Sequence, residues 1–164
     1  MNWTIRSAAA GDAADIFRLI HELAEFEHLS HEVELRVETL SEWLASGRVG
    51  CLLAELDGER IGFALYYFTY STFRGRRGIF LEDIFVRPAF RQQGIGREFF
   101  RRLAEIARSL DCFRFDWLVL NWNDGGKHFY ETVGAGPVRD WTLYRLTGPA
   151  LEDLRLPRRN PTQM

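Results

Sequence analysis

Ile79-Phe80-Leu81-Glu82-Asp83-Ile84-Phe85-Val86 is an apolar run with two adjacent acids at its centre, and its reading decides the fold. Arg87-Pro88 turns the chain, Arg91-Gln92-Gln93-Gly94-Ile95-Gly96 follows, and an amphipathic segment begins at Ile95. From Ile95, the residues Phe99, Phe100, Leu103, Ile106, Ala107 and Leu110 fall on one helical face. Glu98, Arg101, Arg102, Glu105 and Arg108 fall on the other, as in a helix packed on a sheet. Strand, glycine loop and helix start, in that order, bring backbone N–H groups together where they can hold phosphate. Two acids inside the strand that leads there are costly unless compensated, which points to a charged or proton-bearing group handled nearby.

Upstream, Trp3 to Ser7 reads as a first strand. Asp12 reads as the N-cap of a helix whose buried stripe is Ala13, Ile16, Phe17, Ile20, Leu23 and Ala24. The acidic stretch Glu25 to Glu32 reads as a solvated connection, and a second helix runs from about Val37 to Ala45 and ends at Gly47. Cys51–Leu56 and Ile61–Tyr70 are strands joined by the hairpin signal Asp57-Gly58. The loop Ser71 to Gly78 returns to the central strand, so three strands form an antiparallel meander. Downstream come a strand from Phe113 to Leu120, a short helix capped by Asp124, and a last strand from Trp141 to Leu146. The order β-α-α-β-β-β-α-β-α-β implies an α/β (α+β) fold, a mixed and mostly antiparallel sheet flanked by helices. Residues 1–155 read as one domain and 156–164 as a frayed, flexible tail.

The chain has 164 residues and a formal net charge of −2, so no sign excess exists to drive binding to nucleic acid. Cys51 and Cys112 lack the spacing of a disulfide or metal framework, and no metal is expected. Without a leader-like amino terminus or a membrane-length apolar run, the expectation is a soluble cytoplasmic protein with no membrane partner.

The glycine loop excludes two common phosphate motifs. A dinucleotide fingerprint would place glycine where Phe99 stands, and a P-loop fails because His128 follows Gly126-Lys127. What remains is a short anion cradle at a helix start, with Arg91 adding charge.

Glu82 to Val86, the Arg91–Gly96 loop, and Asn123 followed by Phe129-Tyr130-Glu131-Thr132-Val133-Gly134-Ala135 resemble the acetyl-CoA-binding core of the GNAT N-acetyltransferases. The aromatic strand Phe63-Ala64-Leu65-Tyr66-Tyr67-Phe68-Thr69-Tyr70, with Phe80-Leu81-Glu82-Asp83, is similar to their diamine and polyamine (spermidine/spermine) branch, which includes the thialysine acetyltransferases. So is Ile16-Phe17-Arg18-Leu19-Ile20-His21-Glu22-Leu23-Ala24.

The resemblance implies direct attack of a primary amine on acetyl-CoA in a ternary complex, in a protein that forms a homodimer. Backbone groups of Ile84, Phe85 and Val86 would pair with the pantetheine arm. Those of Gln92, Gln93, Gly94, Ile95, Gly96 and Arg97, beside Arg91, would hold the pyrophosphate. Asn123 would hydrogen-bond the pantetheine, with Phe129 and Tyr130 alongside. The amine must lose a proton and the departing thiolate must gain one. Glu82 is the expected acceptor, through water, and Tyr130 the expected donor. Successive strand residues face opposite ways unless a bulge intervenes, so Asp83 is expected to support rather than react.

Glu27 aligns with an acid of the family's polyamine site, so Glu27, Glu82 and Asp83 form the expected amine-binding set. The polyamine enzymes carry Asp and Trp where this chain has Ser71 and Phe73, and Arg74, Arg76 and Arg77 follow. Placed at the mouth of the cleft, these arginines would tolerate a carboxylate, which widens the expected substrate to a diamine or an amino acid resembling thialysine or lysine. A protein N-acetyltransferase and a non-catalytic acetyl-CoA-binding module are the alternatives.

Overall fold

A computed structural model describes residues 2–152; the tail expected at 156–164 lies outside the described residues. Five strands form one sheet in the order β1 (Thr4–Ser7), β2 (Gly50–Leu56), β3 (Glu59–Ser71), β4 (Arg76–Val86) and β5 (Phe115–Trp117). The first four are antiparallel neighbours, and β5 runs parallel to β4. The parallel step requires a crossover, supplied by α3 (Ile95–Ser109). Helices α1 (Ala13–Phe26) and α2 (Val37–Ala45) cover the other face.

Strand periodicity divides the apolar residues into two cores. Leu52, Ala54, Ala64, Ile79 and Leu81 pack on one face with Ile95, Phe99, Phe100 and Leu103 of α3. Cys51, Leu53, Phe63, Leu65 and Phe85 pack on the other with Ile16, Leu19 and Leu23 of α1 and Leu40 of α2. Leu19 was not in the expected stripe of α1, whereas Phe17 and Ile20 are only half buried. Leu110 lies one residue beyond α3 and is 40% exposed rather than part of the core.

Four expectations about the elements need correction. The Asp12 carboxylate does not cap α1; it accepts from the Ala9 N–H at 2.8 Å and from Arg6 at 2.7 and 2.8 Å. Arg6 and the Ala9 N–H hold that carboxyl down at about 2. The loop before the central strand ends at Gly75, because Arg76, Arg77 and Gly78 pair with Ser71, Tyr70 and Thr69. Strand β5 keeps only Phe115 to Trp117 of the expected Phe113–Leu120, since the pairing with β4 stops at Leu81 and Trp117. Finally, Trp141 to Leu146 has no partner strand among the described residues: Trp141, Leu143 and Tyr144 are 80%, 68% and 90% exposed. A short helix, Asp124–Thr132 (α4), precedes that segment, and Pro149–Glu152 (α5) follows it.

Candidate active site

Pairing of β4 with β3 puts Leu81 opposite Tyr66 and Asp83 opposite Leu65, so Glu82 is an extra residue, a β-bulge. The bulge shifts the two-residue period. Ile79 and Leu81 face α3 before it; Ile84 and Val86 pack on that same core after it. Phe85 is buried on the α1 face, and alternation puts Asp83 there too. The parallel pairing with β5 ends one residue before the bulge. Beyond that point the two segments part, and a cavity of about 610 Å³ opens between Glu82–Val86 and Leu118–Leu120.

Of the expected site residues, Glu27, Glu82, Asp83, Ile84, Phe85, Val86, Arg91, Gln92, Gly94, Ile95, Gly96, Arg97, Asn123, Phe129 and Tyr130 line this cavity. Gln93 does not; its amide donates to the Ala89 carbonyl at 3.5 Å. Arg74, Arg76 and Arg77 do not line it either, contrary to the expected arginine rim. The Arg76 guanidinium bonds Asp111 beyond the carboxyl end of α3, and Arg77 lies 5.5 Å from the Phe68 ring centroid. Arg76 stands six positions before Glu82 along β4, about 20 Å at strand spacing.

The glycine loop has the geometry of an anion cradle. Gly94 has φ +85° and caps α3 without a side chain, so the first-turn N–H groups of the helix have no capping acceptor. Gly96 is different: it is helical, and a Cβ there would meet the Phe129 ring at 3.4 Å. Its role is close packing of α3 against α4, not positive φ. Arg91 turns partly away from the cradle, donating from Nε to the Val86 carbonyl at 2.8 Å while stacking 4.6 Å from the Phe26 centroid. Asn123, rather than Asp124, caps α4: its Oδ1 accepts from the Gly126 N–H at 2.9 Å. The cap fixes the side chain and leaves the amide NH₂ as a donor.

The acids form the opposite wall. Asp83 is pushed up to about 7, first by burial and then by the charges of Glu82 and Glu27; all three push the same way. Burial also raises Glu27. Glu82 itself is exposed, which corrects the picture of two acids buried side by side in a strand. The Tyr130 phenol is raised by burial and by Glu27. Its ring sits among Trp117, Phe129 and Phe100, with centroids 5.1, 5.6 and 5.8 Å away. A protonated phenol, carboxylates that form no salt bridge among the described residues, and N–H groups without a side-chain cap, around one cavity, can exchange protons and hold an anion and a cation together.

Sequence reasoning missed the residues that hold these groups, namely Phe26, Phe100, Trp117 and the Leu118–Leu120 wall. Phe100 was read correctly as core, yet its contact with Tyr130 depends on the α3–α4 packing, which no local spacing encodes.

Residues 14–135 match the acetyltransferase (GNAT) family. The chain is 40% identical to the thialysine N-epsilon-acetyltransferase of Mus musculus over 166 residues, covering 92% of this chain and 95% of that protein. It is 35% identical to the spermidine/spermine N(1)-acetyltransferase-like protein 1 of Homo sapiens, covering 92% of this chain and 23% of that one. Among solved structures, an integron cassette protein from the mobile metagenome of V. cholerae superposes with a TM-score of 0.79 at 24% identity, covering 94% of this chain and 98% of that one.

Proposed function

Because the chain belongs to the GNAT acetyltransferase family, we propose that it moves the acetyl group of acetyl-CoA onto a primary amine of a small molecule, by direct attack within a ternary complex. The acceptor is a thialysine-like amino acid or a diamine, a reading supported by the 40% identity to a thialysine acetyltransferase. The observation that carries it is the parting of β4 from β5 at the bulge, which opens a cavity between an uncapped helix start and three carboxylates.

In this reading the free backbone edges of Ile84 to Val86 pair with the pantetheine arm, and the Asn123 amide NH₂ donates to it. The N–H groups at the start of α3, with those of Gln92 and Gly94, hold the pyrophosphate. Glu82 accepts the ammonium proton through water, while Asp83 and Glu27 hold the amine end of the acceptor. The amine nitrogen then bonds to the thioester carbon, and the C–S bond breaks as the Tyr130 hydroxyl gives its proton to the departing sulfur. The second proton leaving the nitrogen returns to the Tyr130 oxygen, so the thiol, the amide and the neutral tyrosine are left. Burial suits Tyr130 to this, since a raised phenol keeps its proton at neutral pH.

A reaction that draws on acetyl-CoA fits a cytoplasmic protein, in which residues 1–155 act as one domain without a metal. A homodimer accords with the exposed apolar side chains of Val138, Trp141, Leu143 and Tyr144 and with the free outer edge of β5. CoA release with thialysine, ornithine, putrescine, spermidine and spermine tests the substrate class. Turnover of thialysine above the polyamines is expected from the 40% identity to a thialysine acetyltransferase, whereas preference for spermine would remove the amino-acid acceptor. Acetyl-CoA binding without turnover on any amine would leave only a binding module.

A further inference from the structure

Beside the cavity, aromatic contacts join the end of α1 to the β5–α4 loop, and a cation–π contact ties them to a third segment. Phe26, in the last turn of α1, lies 5.9 Å from the Trp122 ring of the β5–α4 loop and 4.6 Å from the Arg91 guanidinium. Arg91 is tied to the end of β4 through the Val86 carbonyl. His28 adds a second contact to Trp122 at 6.4 Å. Large aromatics in such exposed places, 37% for Phe26 and 51% for Trp122, gain little from burial.

His28 is the sharper observation. It closes α1 in the left-handed region at φ +61°, with Leu29 N–H bonding Ala24 O at 2.8 Å and His28 N–H bonding Glu25 O at 3.1 Å. This is the glycine position of a Schellman turn, where a β-carbon is a strain. A strained residue whose ring meets Trp122, each of them next in sequence to a residue that lines the cavity, points to a role for that contact. The neighbours of the stack carry the proposed chemistry: Glu27 lies between Phe26 and His28, and Asn123 follows Trp122. No residue between Glu25 and Thr39 is fully buried. Leu35 and Val37 pack against the α1-face core, which leaves the stretch around Glu27 and His28, at the other end of the connection, as the part the aromatic contacts hold.

We propose that Phe26, His28 and Trp122 form an aromatic clasp that couples the two ligand sites. CoA held against Asn123 fixes the loop carrying Trp122; Trp122 fixes Phe26 and His28; and these hold Glu27 in place for the amine. The three are positioning residues. By linkage, the amine must tighten CoA by the same factor as CoA tightens the amine. This rests on the reading of the cavity as an acetyl-transfer site.

The test is calorimetric binding of thialysine, or of the panel amine with the fastest turnover, with and without saturating CoA, which carries no acetyl group to transfer. In the wild type CoA should lower the amine Kd at least about fivefold. In Phe26→Leu and Trp122→Leu that ratio should fall toward one, while CoA binding alone changes less than about threefold. His28→Gly separates coupling from folding: its Tm should hold or rise because strain is relieved, yet the ratio should drop. A wild-type ratio of one, or undiminished coupling in these variants, overturns the clasp. Failure of the wild type to bind CoA at all overturns the acetyl-transfer reading instead.

Discussion

Tyr130 and Asp83 sit in the same cavity, and their surroundings push each toward its neutral form. For Tyr130 the shift keeps a proton available at neutral pH. Tyr130→Phe should lower kcat more than about tenfold while the CoA Kd stays within about threefold; an unchanged kcat in stopped-flow turnover would remove the hydroxyl from the reaction. For Asp83 the shift has a stability consequence. Its folded pKa, about 7, lies above the ordinary 3.8, so the native state binds the proton more tightly than the unfolded chain. Stability is therefore highest below the ordinary carboxylate range and declines as pH rises toward 7. Asp83→Asn, which cannot ionise, should match the wild type near pH 4 and exceed it at pH 8, by a gain on the order of a few kcal/mol in urea denaturation. An equal difference at both pH values would mean that Asp83 is not held out of water in the free protein.

At the scale of elements, α3 does two things at its start. Gly94 turns the chain into the helix, and Gly96 lets Phe129 of α4 lie against the helix. Gly96→Val should weaken CoA binding more than tenfold and destabilise by about 1–3 kcal/mol, because the branched side chain must displace Phe129. Gly96→Ala should be close to neutral in stability, since its 3.4 Å contact is offset by up to about 1 kcal/mol of helix propensity. Near-normal CoA affinity in the valine variant would refute the cradle. The strand, glycine loop and helix were legible in the sequence because local periodicity and turn chemistry specify them. The bulge at Glu82 was not, as it depends on which residue of β3 stands opposite, and neither was the short extent of β5, which is set by where β4 stops pairing. The arginines of the β3–β4 hairpin were misplaced for a related reason: loop length fixed their order in the chain but not the end of the sheet on which they lie.

For the whole molecule, the meander, the helix that links two neighbouring strands and the mostly antiparallel sheet followed from patterning that agrees at every level, whereas the division into two cores came with the strand register. The last strand is the exception. Trp141-Thr142-Leu143-Tyr144-Arg145-Leu146 has strand composition, yet no strand among the described residues pairs with it. A partner in a second copy would satisfy both the composition and the exposure, consistent with the proposed homodimer. Sedimentation should then give twice the chain mass, and Leu143→Asp with Tyr144→Asp should shift the protein to monomer; a monomeric wild type at micromolar concentration would count against the dimer.

The bulge has a meaning in genetic terms. Leu81 faces α3, Asp83 the opposite side, and Ile84, Phe85 and Val86 alternate from there. Loss of the single Glu82 codon, in frame, would therefore leave each of these side chains on its present face and restore a regular strand. The same deletion would remove the carboxylate proposed to take the proton. Fold and chemistry are separable at that one codon, so one mutational step leads from the proposed acetyltransferase to a folded chain without its proton acceptor.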